Sequence, residues 1–530
     1  MADLLVTGGT VVDGTGNPGY PATLAVEGDR VRILRGNGEP PPAGRVIDAT
    51  GMVVAPGFID MHSHSGLMIF AEPTHLPKVS QGVTTELIGV DGCSYAPFTD
   101  PDELRRFVTF NAGLDGCPDL GYDWDTVASY LTRFDNEVAV NIGCLVGNSA
   151  LRIAALGWDQ VPADQRAVAN MRAMLREALE EGAFGMSTGL DYPPGSYAST
   201  EELGELCKEP ARVGGLYHTH VRYWMGDQFL DPFREAFEIT RQGGCPLHLT
   251  HFYHKAKYPR GSDVMFDLLE REVGLGVDVT FDAYPYEWSS TRLTILLPQW
   301  IQAGGPEPTL ARLADPDCRE RFKAELANGD PDDTWRAAHE WVRLGHFGEP
   351  HNRRYENMTM AAVARERRQD VVDAFLDLLV EENLRINEVQ PGPTGSTLAK
   401  FVTHRLGMVG TDSVFIGDKP SPRTYGSFPR ILGEFVREER HLSLPEAVRK
   451  FTSFPAGRLG LPDRGLLRDG FAADVVVFDP ERVRAVATYD QPRRQSLGIE
   501  YVIVNGTVVL DRGTHTGALP GRGLRRGHTR

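Results

Sequence analysis

The segment Asp60-Met61-His62-Ser63-His64 closes an apolar run, and two imidazoles two residues apart on an extended chain point to the same side. Paired imidazoles of this kind suit a divalent metal, although His-x-His by itself also occurs as a structural pair. Further donors close later apolar runs. Cys93 lies in Gly-Val-Asp-Gly-Cys-Ser, His220 in Tyr-His-Thr-His-Val-Arg, His251 in His-Leu-Thr-His-Phe and Asp412 in Gly-Thr-Asp-Ser. A thiolate, imidazoles and a carboxylate brought together make a borderline-soft site suited to Zn2+ and open to Fe2+ or Mn2+.

The elements that must gather these residues are legible as eight strand runs: Val53 to His62, Val83 to Val90, Val138 to Val146, Gly185 to Leu190, Gly215 to His220, Pro246 to His251, Gly276 to Tyr284 and Met408 to Asp412. Between them, Ala163 to Glu181, Thr200 to Val213 and Pro232 to Gln242 carry helical periodicity with capping residues or prolines at their starts. Alternation of this kind reads as a (β/α)8 barrel of the α/β class, whose strand C-termini converge on one rim. Both chain ends are β-rich, and Tyr501 to Val504, Asn505-Gly506, Thr507 to Leu510 is a hairpin pattern. The expected organisation is a small β-sandwich built from 1–55 and 456–530, with the catalytic barrel at 56–455 inserted in it. A Pro-, Gly- and Trp-rich stretch over about 287–357 is too long for a simple connection and reads as a lid-like insertion. The closing GRGLRRGHTR reads as a solvated basic tail.

With 41% hydrophobic and 24% charged residues over 530 positions, the chain is of ordinary globular composition, and its formal net charge of -17 argues against a general nucleic-acid or anionic-membrane surface. The six cysteines show no CxxC pair, so neither a disulfide framework nor a zinc ribbon is expected. The N-terminal segment lacks a basic region before an apolar run, and no stretch approaches ~18 uninterrupted apolar residues. The expectation is a cytoplasmic protein with no membrane partner.

The segments APGFIDMHSH, GCS, LVGNSALR, GMSTGLDYPPGSYAS, HTHVR, LTHF, DAYPYEWSSTRL, GMVGTDS, SPRTYGSFPRILG, KFTSFPAGRLGL and ADVVVFDP run in order over nearly the whole chain and resemble the amidohydrolase superfamily, within it the D-aminoacylase (N-acyl-D-amino-acid deacylase) family. The resemblance implies hydrolysis of a linear amide, with a small N-acyl amino acid as the partner. Cys93, His220 and His251 then match a tight zinc site, with the cysteine where related enzymes use a carboxylated lysine. His62 and His64 match a second site that is weak or empty in the family, so about one tightly held zinc per chain is expected. Asp412 matches the catalytic aspartate, which takes a proton from water and returns it to the departing amine. Arg423, Tyr192, Tyr284 and Ser290 match side chains that hold the substrate carboxylate.

Departures from the family lie in the walls. Tyr253 stands where the family has a lysine, with Lys255 two residues further on. Asn148 replaces a histidine, and Trp224 replaces a glutamate. With Tyr253, Trp224 and Trp288 near the mouth, a hydrophobic acyl or side-chain pocket, or a substrate outside the usual N-acetyl-D-amino acids, is expected. His218 and His248 lie out of the ligand register and read as core or ligand-orienting residues, as do Asp60 and Asp91. Gly185 to Gly189 matches G-x-S-x-G but lacks the context of a serine-hydrolase elbow. A cyclic-amide hydrolase of the hydantoinase or dihydroorotase type and an inactive scaffold are the rival readings; an oligomer is compatible with the sequence.

Overall fold

In the computed structural model, which describes residues 1–36, 40–223, 228–328 and 340–528, the strand runs close into a parallel ring. Its members are β1 (Phe58–Asp60), β2 (Val83–Ile88), β3 (Asn141–Cys144, continued by Val146–Gly147), β4 (Gly185–Gly189), β5 (Leu216–His220), β6 (Leu247–Leu249), β7 (Val279–Ala283) and β8 (Gly407–Val409). Each pairs in parallel with the next. The ring shuts where Met61 N donates to Val409 O at 3.1 Å and Asp412 N to His62 O at 2.9 Å. All eight strands are buried along their length, because the interior is filled by side chains and the outside is covered by helices. The helices start at side-chain caps that satisfy free backbone N–H groups: Asp100 before Pro101–Asp115, Asp164 before Gln165–Glu180 and Ser199 before Thr200–Val213.

The first strand run differs from expectation. It divides at Gly57 between two sheets: Val53–Pro56 pairs antiparallel with Val475–Phe478 outside the barrel, whereas Phe58–Asp60 enters the ring. A Cβ on Gly57 would lie 2.1 Å from Thr84 Oγ1, so the bend needs glycine. Gly57→Val is expected to destabilise the fold by about 1–3 kcal/mol through overpacking, read as a lowered denaturation midpoint.

Strands from both chain ends do share a sheet. One four-stranded sheet comes wholly from the N-terminal segment (Ala2–Thr7, Thr23–Glu27, Arg30–Leu34, Ala43–Asp48). A seven-stranded sheet interleaves Val53–Pro56 and its N-terminal neighbours with Val475–Phe478, Ile499–Val504 and Thr507–Asp511. Period-two alternation turns Leu4, Val6, Leu24 and Val26 of the first toward Val54, Val475, Val477 and Ile503 of the second. The hairpin forms as read, with Asn505 and Gly506 both at positive φ (47° and 83°) as its tight turn requires.

Two other expectations are corrected. The closing basic segment is docked, not solvated: Leu524 is buried, Leu524 N donates to Ile142 O at 2.7 Å, and Arg526 Nη2 reaches Gly214 O at 2.6 Å. The insertion between β7 and β8 extends past 357. Its sheet is antiparallel, with Asn387–Pro391 between Trp288–Arg292 and Arg343–His346, and it carries the helices Pro306–Ala314, Pro316–Asn328, Met360–Arg367 and Val371–Glu381.

Candidate metal centre and active site

Four histidines converge at the C-terminal rim of the barrel. Asp91 Oδ2 lies 3.4 Å from His62 Nε2, 3.7 Å from His64 Nε2, 3.6 Å from His220 Nδ1 and 3.7 Å from His251 Nε2. The inward nitrogens of His220 and His251 are 3.0 Å apart. Three of the four rings also have their outer nitrogen engaged. Asp115 Oδ1 is 2.7 Å from His64 Nδ1, Asp191 Oδ2 is 3.0 Å from His220 Nε2, and the Tyr223 hydroxyl is 2.7 Å from His251 Nδ1. Asp282 Oδ2 stands 3.5 Å from His62 Nδ1. Outer partners of this kind fix ring orientation and leave the inward lone pair free to ligate.

The electrostatics agree. Burial opposes a charge on His62, but Asp91, Asp412 and Asp282 outweigh it and hold its pKa up to about 10. His220 is held at about 9, burial again being overcome, here by Asp191 and Asp91. A field that retains protons so strongly equally favours a metal cation. Both ring nitrogens of His62 and Asp91 Oδ1 are buried without hydrogen-bond partners, as expected of donors aimed at an ion. The donor set of imidazoles and carboxylate fits a divalent cation.

Cys93 is not part of this convergence, which corrects the expected ligand set. Its Sγ lies 3.5 Å from the Asp91 carbonyl and 3.6 Å from Asn111 Oδ1, and burial followed by the nearby Asp115 charge pushes its thiol well above the usual range. The turn after β2 decides between the two residues. Asp91 takes a left-handed conformation (φ 53°), which swings its carboxylate inward. The Ser187 hydroxyl pins that turn, donating to Gly89 O and accepting from Gly92 N at 3.1 Å. The serine of the G-x-S-x-G match is thus a positioning residue for Asp91. His251 (φ 31°) and Asp412 (φ 49°) share the left-handed region, which side chains other than glycine rarely adopt and which clusters at functional sites.

Asp412 faces the histidines, with Oδ1 3.5 Å from His62 Nε2 and 3.4 Å from His64 Nε2. Arg423 is fully buried behind it, with Nη1 2.8 Å from Asp412 Oδ2 and Nη2 donating to Ser290 O at 3.2 Å. Its guanidinium stacks 4.5 Å from the centre of the Tyr284 ring. Burial pushes the Asp412 carboxyl up, but Arg423 and His62 outweigh it and hold it down at about 2.

A cavity of about 440 Å3 opens from these residues. Tyr192, Tyr253 and Ser290 line it, as does Lys255, while Leu296, Leu297, Pro298 and Phe322 of the insertion form an apolar wall. Tyr284 and Arg423 stand behind the lining, and Trp288 borders a separate cavity with Tyr489 and Lys419. The expected apolar wall therefore exists, but Trp288 does not build it. Trp224 lies outside the described residues. Asn148 is structural, donating to Gly195 O at 3.0 Å. His248 bonds Thr280 Oγ1 at 2.8 Å and Asp282 Oδ2 at 3.1 Å, in the ligand-orienting layer where it was expected.

Asp115, Asp191 and Tyr223 reach the histidine cluster without being singled out by residue type, and Asp91, read from the sequence as an orienting residue, stands at its centre. Asp91 had a usable signal: it stands nearer the strand end than Cys93, and preference for the softer donor hides it. The others reach the site from loops and a helix whose approach no local pattern encodes.

The amidohydrolase family model matches residues 45–510. An N-acyl-D-aspartate deacylase of Alcaligenes xylosoxydans xylosoxydans is 35% identical over 524 residues, covering 98% of this chain and 94% of that protein. The crystal structure of an N-acyl-D-glutamate deacylase from Bordetella bronchiseptica, complexed with zinc and a phosphonate mimic of the tetrahedral intermediate, superposes with a TM-score of 0.83 at 31% identity and 99% coverage of both chains. A D-aminoacylase described as having a binuclear metal centre superposes with a TM-score of 0.80 at 30% identity, covering 99% of this chain and 100% of that one. Likeness of this extent, with the histidine-lined rim, establishes that the chain belongs to the amidohydrolase superfamily, in its D-aminoacylase family.

Proposed function

We propose that this protein is a metal-dependent deacylase that hydrolyses N-acyl-D-amino acids to a carboxylate and the free D-amino acid. The observation that carries the reading is the placement of Asp412 between the histidine cluster and a cavity that also presents a half-buried cation, Lys255. His62, His64, Asp91, His220 and His251 are the residues that would hold metal. When bound, a divalent ion such as zinc supplies Lewis acidity toward an amide carbonyl and favours ionisation of water. Asp412, kept ionised by Arg423, accepts the proton of the attacking water and hands it to the amine as the C–N bond breaks. The inserted segment walls the cavity with apolar side chains, which limits water at the reacting amide.

Recognition of the substrate carboxylate falls first to Lys255 in this reading. Arg423 matches the family anchor but is committed to Asp412 in this structure, whereas Lys255 Nζ sits 3.9 Å over the Tyr223 ring and lines the cavity. Burial lowers the Lys255 pKa to about 8, and a bound carboxylate would restore its charge. Lys255→Met is expected to raise KM for carboxylate-bearing substrates about 10- to 100-fold, the worth of a hydrogen bond to a charged group, and to leave uncharged N-acyl amides unaffected. A hydrolysis screen of N-acetyl, N-formyl and longer N-acyl D- and L-amino acids beside hydantoins tests the whole proposal. Selective release of D-amino acids supports it, and turnover of hydantoins alone replaces it with the cyclic-amide reading.

A further inference from the structure

Trp288, expected at the mouth of the active site, stands on the other side of the inserted sheet. Strand alternation accounts for this: Ser289, Thr291 and Gln390 line the active cavity, whereas Trp288, Val389 and Arg343 line a second cavity of about 230 Å3. One sheet thus separates the two. The second cavity is completed by residues 485–496, which lie between the paired strands Val475–Phe478 and Ile499–Val504. This loop is pinched at its base, where Arg484 N donates to Leu497 O at 3.1 Å and Leu497 N to Arg484 O at 3.0 Å. Compact loops closed in this way are frequently functional. Three hydrogen bonds hold it to the segment after β8: Arg493 Nη2 to Gly417 O at 2.6 Å, Lys419 Nζ to Asp490 O at 2.8 Å and Ser496 Oγ to Tyr425 O at 2.8 Å. The Tyr489 ring is thereby brought to 5.7 Å from that of Trp288, with the two planes inclined at 60°.

Trp288 and Tyr489 offer this cavity two aromatic faces, and Tyr489 leaves 41% of its surface exposed, so a ring placed against it removes apolar area from water. Lys419 and Arg343 supply two cations against one lining acid, Asp490, and neither cation pairs with a carboxylate among the described residues. Each gives one N–H to a backbone oxygen, Lys419 to Asp490 O and Arg343 to Asn357 O, and has others left for an anion. The Ser421 hydroxyl is buried in the same lining with no hydrogen-bond partner, which leaves it for an occupant. The volume falls below the about 300–1,000 Å3 of common small-molecule pockets, so a compact ligand fits best. We infer that this cavity is a second ligand site, separate from the active site, which takes a small carboxylate carrying one aromatic ring, with the ring against Trp288 and Tyr489 and the carboxylate at Lys419 and Arg343. Aromatic faces bind the body of such a molecule and charge-assisted hydrogen bonds fix its end. The assignment goes beyond the deacylase reading and does not depend on it.

The test is calorimetric titration of phenylacetate into full-length protein. Because Lys255 could hold the same anion in the active cavity, the titration is made in the Lys255→Met background, where saturable binding is expected to persist. Adding Lys419→Met should weaken it about 10-fold or more, the worth of a hydrogen bond to a charged group. Benzyl alcohol, which keeps the ring and lacks the charge, and acetate, which keeps the charge and lacks the ring, should each bind more weakly than phenylacetate by about the same factor. Trp288→Leu should also weaken phenylacetate. Absence of saturable binding in Lys255→Met would overturn the inference, as would unchanged affinity on adding Lys419→Met or equal binding of benzyl alcohol or acetate. If Trp288→Leu fails to fold, Lys419→Met still decides the matter, since that side chain is exposed. No amide is hydrolysed in the measurement, so its outcome stands apart from that of the substrate screen.

Discussion

Asp412→Asn is expected to lower kcat by about 10²- to 10⁴-fold, the range for loss of a positioned acid–base group, with metal content unchanged. Asp412 Oδ1 stands 3.4 to 3.5 Å from the inward nitrogens of His62 and His64, and its other oxygen is held by Arg423 at 2.8 Å. The carboxylate is thereby fixed beside the histidine cluster and kept ionised. Asparagine preserves the shape and the contact to Arg423 but cannot accept a proton. The effect should fall on kcat more than on KM, because the proton transfers occur in the chemical step. Retention of more than about a tenth of wild-type turnover, against the magnitude expected of general acid–base catalysis, would remove Asp412 from this role.

The largest stability effect is expected at Lys78, which lies fully buried beneath the site. Its ammonium contacts Asp60 and Thr411 and stands 3.2 Å from Glu86 Oε1. Glu86 in turn accepts from Ser65 Oγ at 2.6 Å and lies 3.0 Å from His75 Nε2. Burial raises the Glu86 carboxyl, but His75 and Lys78 outweigh it and hold it well below the usual range. Lys78→Met removes the cation and leaves buried carboxylate charge uncompensated, at a cost of about 3–5 kcal/mol. The loss is read as a shift of the denaturation midpoint. Asp60→Asn in the same chain should recover part of it, because the pair shares one interaction. The ionic cluster also bears on function. Asp60 Oδ1 accepts from His62 N at 3.1 Å and from Thr411 N at 2.9 Å, so it ties the ends of β1 and β8 together and sets where His62 and Asp412 stand. Lys78→Met should therefore weaken metal retention as well as stability. A midpoint shift worth less than about 1 kcal/mol would show that the buried cluster is not held by this lysine.

Much of the architecture was legible because it rests on local pattern. Buried runs bounded by helical segments mark the eight barrel strands, and the Asn505-Gly506 hairpin is encoded by two residues that tolerate positive φ. Gly57 shows the limit of that reading. A continuous apolar run looks like one strand, yet steric contact with Thr84 and pairing with Val475–Phe478 divide it between two sheets. The insertion shows another limit, because only the pairing of Asn387–Pro391 with Trp288–Arg292 places residues beyond 357 within it.

For the site, the sequence by itself determined the histidines and Asp412, since each closes a strand and barrel closure brings strand ends to one rim. It could not determine which residue of Asp91-Gly92-Cys93 faces inward. That choice is made by the left-handed turn at Asp91, held by a hydroxyl from the neighbouring strand β4, and side-chain direction in a turn depends on backbone dihedrals that residue type does not specify. The commitment of Arg423 to Asp412, and the arrival of Lys255 in the cavity, were likewise decided only by tertiary structure. Both depend on how loops from distant strands pack, which composition and spacing do not encode.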